Sequence, residues 1–71
     1  MLLIVNGQDR ELTELGPEAK LSEIVDALGL QRDRVAIEHN GLIAARPEWE
    51  AIQIFSGDKL EIVHFVGGGQ W

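Results

Sequence analysis

The spacing of apolar residues changes period twice along this chain, and that change limits the folds open to it. At the start and again in the middle of the chain, apolar residues alternate or cluster in short stretches bent at Asn-Gly, in "MLLIVNGQDREL" and in "VAIEHNGLIAA". Asn-Gly between such stretches is a strong hairpin signal, because the favoured two-residue turn needs positive φ at both positions. Between them, "LSEIVDALGL" puts Leu21, Ile24, Val25 and Leu28 at i, i+3, i+4 and i+7. That spacing is one stripe of an amphipathic helix. Glu23 lies in its first turn, where negative charge is favoured, and Gly29 follows the stripe as a C-terminal cap.

The remaining segments fit the same plan. "LGPEAK" is a loop marked by Gly16-Pro17, and "QRDR" is a solvated turn. Val35 and Ile37 share one strand face and are expected to look inward. "RPEWEAIQI" is expected to hold a short helical turn that lays Trp49 on the core. A Ser-Gly-Asp turn then leads into "KLEIVHFV", where Leu60 and Ile62 alternate with Glu61, Val63 and Phe65. The first strand is apolar on both faces, Leu3 with Val5 and Leu2 with Ile4, which suits a central strand or one whose outer face meets a partner. Four to five short strands and one main helix make an α+β roll, a mixed sheet with the helix packed on one face. A crossover helix between the two hairpins lets the last strand lie beside the first, near the middle of the sheet.

Size and charge narrow the function classes. The chain has 71 residues, enough for one small domain. It has no cysteine, which excludes disulfides and cysteine-held metals. Twelve acidic residues against six basic ones give a net charge of −6, the reverse of a nucleic-acid-binding footprint and suited to partners with basic surfaces. No apolar run approaches the roughly 20 residues of a membrane span, and no signal peptide opens the chain. The expectation is a cytoplasmic protein.

Catalytic candidates are weak. His39 and His64 stand far apart without a third ligand at metal spacing. The carboxylates are dispersed, as on a solvated surface. Thr13, Ser22 and Ser56 sit at loops, turns or a helix start without an adjacent activating histidine. What remains is the end, "HFVGGGQW". Glycine loses more conformational freedom on folding than any other residue, so Gly67, Gly68 and Gly69 are either a slack end or an arm meant for somewhere narrow. The division expected is a domain over residues 1–66 and a flexible tail over 67–71. Leu2, Ile4, Val63 and Phe65 are expected to form one apolar patch beside the tail. Either that patch docks a partner, or the segment around Trp49 buries it.

Together, "VNGQDREL", "LSEIVDALGL", "VAIEHNGLIAAR" with its following "EW", and above all "GDKLEIVHFVGGG" make the chain resemble the sulfur carriers of thiamine biosynthesis, the ThiS group of ubiquitin-like β-grasp proteins. The resemblance covers nearly the whole length. It implies a β-grasp fold and a protein that is a co-substrate rather than an enzyme. An E1-like activating enzyme would use ATP to adenylate the carboxylate of the final glycine. Sulfur would replace the adenylate, and a thiazole synthase would take sulfur from the resulting thiocarboxylate. The carrier itself would bind no cofactor. In this chain Gln70 and Trp71 follow the glycines, so a trimming metalloprotease, as some relatives of these carriers require, would have to expose Gly69. A different sulfur acceptor, or a binding module that is never activated, is compatible with the same residues.

Overall fold

The computed structural model describes residues 1–65. Strand β1, Leu2–Val5, turns at Asn6-Gly7 into β2, Gln8–Glu11. Helix α1, Leu21–Ala27, follows, then β3, Val35–His39, β4, Leu42–Ala44, and β5, Lys59–His64. The strand order β2-β1-β5-β3-β4 places β5 in the centre. It runs parallel to β1 and antiparallel to β3, so the sheet is mixed as expected. Gln8 pairs with Val5 across the turn, so β2 begins directly after Gly7.

The helix forms where the stripe placed it. Leu21, Ile24 and Val25 are fully buried, and Leu28 packs against the same core. Glu23 Oε1 accepts the Lys20 backbone N–H at 2.9 Å, satisfying a donor at the helix start. At the other end Gly29, with φ +72°, donates to Asp26 O, and Leu30 donates to Val25 O. This paired arrangement is the Schellman stop, which a side chain at the glycine position would strain.

Leu3, Val5, Val35, Ile37, Leu60 and Ile62 all face the helix, which leaves the other face of the sheet open. The expected helical turn is a single 3₁₀ turn, Arg46–Glu48. It delivers Trp49, 2% exposed, to the core, where its Nε1–H donates to Ala44 O at 2.8 Å. Trp49 therefore lies in the core and does not cover the outer face, where Leu2 and Val63 remain exposed. "QRDR" carries another 3₁₀ turn, Arg32–Arg34, with no buried residue.

Both Asn-Gly turns do more than reverse the chain. Asn6 and Asn40 adopt φ of 50° and 51°, and each side chain then reaches β5. Asn40 Oδ1 accepts the Lys59 N–H at 2.8 Å, while the Asn40 N–H donates to Lys59 O. Asn6 Oδ1 accepts the Ile62 N–H at 2.7 Å, and its Nδ2 donates to Ile62 O at 3.3 Å. An asparagine amide offers one acceptor and two donors, so it can imitate a backbone step of a strand. The β1–β5 ladder is thereby carried past the end of β1.

The base of the tail as candidate functional site

The candidate site is the end of β5 from which the glycines continue. Gly67, Gly68 and Gly69, with Gln70 and Trp71, lie outside the described residues, so the site is built from its base. His64 stands opposite Val35 in the β3–β5 register, and the Phe65 N–H donates to Arg34 O at 2.8 Å. Asn6 holds Ile62 from the other side. The chain is thus hydrogen-bonded to its neighbours up to Phe65, in the middle of the sheet.

The expected patch divides in two. Ile4 pairs with Lys59, not with Val63. Val63 lies four residues further along β5, about 13 Å at the usual rise of a strand. Lys59 and Glu61 occupy the interval on the same face. Leu2 and Ile4 belong to the start of β5, near Ser56 and Asp58, whose Oγ and backbone oxygen bond the N–H groups of Leu2 and Ile4. Val63 and Phe65 instead border a shallow hollow of about 120 Å³ shared with Ala36 and Ile43. Val63 is 59% exposed and Ile43 63%. Ile43 was missed by sequence reasoning, which treated its strand as ordinary sheet. Exposed neighbouring apolar residues on a three-residue edge strand, Leu42 with Ile43, were the available signal.

Glu38 and Glu61 flank this hollow and stand directly opposite each other across β3 and β5. Among the described residues neither forms an ion pair.

The titratable candidates are dispersed. His39 and His64 sit at opposite ends of the β3–β5 pairing, opposite Leu60 and Val35 respectively. Among the described residues no cluster of three potential ligands could hold a metal ion. His39 Nε2 lies 2.8 Å from Asp58 Oδ2, which also accepts the Phe55 N–H at 2.9 Å. Desolvation pushes the Asp58 carboxyl up, but hydrogen bonds from His39, Phe55 and Asn40 outweigh it and leave the group below its ordinary range. This cluster locks the turn before β5. Ser56 bonds the Leu2 backbone, and Ser22 is buried in the helix. No helix among the described residues is long and apolar enough to cross a membrane.

The site is therefore a mount: a central strand held up to the residue before the last six, with an apolar hollow beside it. The ThiS family model matches residues 3–69. The chain is 39% identical over 70 residues to a thiazole synthase of Paramagnetospirillum magneticum, covering 97% of this chain and 20% of that protein. It thus spans about a fifth of the length of that relative, and 15% of a thiazole synthase of Magnetococcus marinus, to which it is 36% identical over 50 residues. The sulfur carrier protein ThiS of Bacillus subtilis is 28% identical over 68 residues, with 96% of this chain and all of that one covered. A crystal structure of a thiamine biosynthesis protein (ThiS) from Geobacter metallireducens superposes with a TM-score of 0.82 at 31% identity, covering 97% of this chain and 100% of that one. The fold is the β-grasp of these neighbours, and the chain belongs to the ThiS family.

Proposed function

We propose that the chain is a sulfur carrier of thiamine biosynthesis whose working group is the carboxylate of Gly69. The observation that carries this reading is the mounting of β5. A tail that must enter another protein needs a fixed origin, and Asn6, Arg34 and the β3 ladder hold the strand to Phe65. Three glycines beyond that origin supply a thread without side chains, and an acyl carbon next to glycine is unhindered. The family match ends at Gly69, which favours that residue as the mature terminus.

In the proposed reaction an E1-like enzyme binds the tail and ATP. A Gly69 carboxylate oxygen attacks the α-phosphorus, and pyrophosphate leaves. A sulfur nucleophile supplied by a sulfur donor then attacks the acyl carbon, and AMP departs with the bridging oxygen. Where that nucleophile is a persulfide, a second thiol attacks the donor's sulfur in the resulting acyl disulfide, forms a disulfide with the donor and releases the glycyl thiocarboxylate. The carrier supplies no catalytic side chain, and ATP is bound by the enzyme. Its acceptor is a thiazole synthase, a role favoured by the thiazole synthases in which a segment matches this chain. Val63 and Phe65 form the docking face beside the tail, while Leu2 and Ile4 lie too far along the sheet to share that contact. Gln70 and Trp71 are removed first, by a metalloprotease.

The test uses the chain as written and the chain ended at Gly69. Each is incubated with the activating enzyme, ATP and a sulfur donor, and the intact mass is recorded. Oxygen-to-sulfur exchange confined to the Gly69-ended form is the expected result. No exchange in either form would favour a binding module that is never charged.

A further inference from the structure

The outer face of the sheet carries an arrangement that folding does not explain. Glu38 and Glu61 are direct cross-strand partners, and like charges in that position are destabilising. Both are exposed, and among the described residues neither has a cationic partner within ion-pair distance. Lys59, two residues before Glu61, faces the same side but bonds neither. The pair borders the hollow whose apolar walls are Ala36, Ile43, Val63 and Phe65. An apolar hollow beside two unneutralised carboxylates, on a chain of net charge −6, has a defined complement. That complement is an apolar side chain next to a lysine or arginine.

We infer that Glu38 and Glu61 are specificity residues that seat a cationic side chain of the thiazole synthase, while the hollow takes an apolar neighbour of that cation. The inference rests on the carrier reading and deepens it by naming what the tail-receiving protein must present. Bringing a cation between the carboxylates relieves their repulsion, so the pair discriminates between partners at the moment of docking. The hollow adjoins Phe65, so a protein seated there lies beside the strand end that precedes the tail.

The experiment compares Glu38→Gln, Glu61→Gln, Glu61→Lys and a control, Glu18→Gln, in chains ended at Gly69. Glu18 is exposed in the loop before α1, away from the sheet. Measured for each are the thermal midpoint, the Kd for thiazole synthase of the same source at low and high salt, and thiocarboxylate formation by the activating enzyme. Neutralising Glu38 or Glu61 is expected to leave the thermal midpoint unchanged or raised and to weaken binding by about tenfold at low salt. Glu61→Lys should weaken it further, and Glu18→Gln should leave it unchanged. The salt dependence should flatten in Glu38→Gln and Glu61→Gln. Equal effects from Glu18→Gln and Glu61→Gln would overturn the inference, since the field of the whole protein would then suffice. So would unchanged binding in every variant. A wild-type chain that becomes thiocarboxylated but does not bind thiazole synthase overturns the inference and leaves the carrier reading standing. A chain that is never thiocarboxylated overturns the carrier reading and, with it, this one.

Discussion

The two faces of the sheet differ in what their residues achieve. On the inner face Leu3, Val35, Ile37, Leu60 and Ile62 meet the helix and Trp49, and their burial accounts for the cohesion of a small domain. On the outer face Ile43 and Val63 stay in water and two glutamates oppose each other. Burial favours folding, whereas an exposed apolar hollow and a like-charge pair do not. The contrast indicates that the inner face is fitted to the fold and the outer face to something beyond it.

The largest expected effect breaks the inner face. Ile24→Ala opens a cavity at a fully buried position and should cost about 2–5 kcal/mol in urea unfolding. Loss below about 1 kcal/mol would mean that the helix is not the core's main cover.

Asn6→Ala is next. It removes the amide that both accepts from and donates to Ile62, so about 1–3 kcal/mol should be lost. Amide exchange at Ile62 should quicken more than at Ile24, whose N–H donates within the helix to Lys20 O. Uniform acceleration would show that Asn6 acts on global stability and does not hold the tail mount.

The turn before β5 responds to pH. Asp58 is held below its ordinary range in the folded chain, so its contribution is present at neutral pH. That contribution is lost as the pH falls through the lowered folded-state value, beneath the ordinary carboxylate value of about 3.9. Asp58→Asn should destabilise at neutral pH, and the difference from wild type should shrink in that acid window. A difference that persists unchanged at low pH would assign the loss to packing.

The smallest stability effect belongs to the outer face. Val63→Ser should change stability by no more than about 0.5 kcal/mol, since the side chain is largely in water. It should nonetheless weaken binding to the tail-receiving enzymes. Equal loss of stability and binding would erase the distinction between the faces.

Much of this was legible in the sequence. The helical stripe, both Asn-Gly bends, the inward pair Val35 and Ile37 and the burial of Trp49 follow from local periodicity and turn chemistry. The central place of the last strand followed from one crossover helix joining two hairpins. Register was not legible. Alternation tells which face a residue takes but not which residue it meets across the sheet. For that reason alternation groups Leu2 and Ile4 with Val63 and Phe65, and it does not reveal the opposition of Glu38 and Glu61. The grip of Asn6 on Ile62 joins positions 56 apart, and no short-range pattern reports such a bond.

The most direct test of the division between faces is chemical-shift mapping of the isotope-labelled chain, ended at Gly69, during titration with thiazole synthase. The account predicts that amide shifts concentrate at Ala36, Glu38, Ile43, Glu61 and Val63 and continue into the glycines, with the exposed side of α1 unmoved. Shifts concentrated on α1 and β2, with the outer face of β3 and β5 silent, would contradict it.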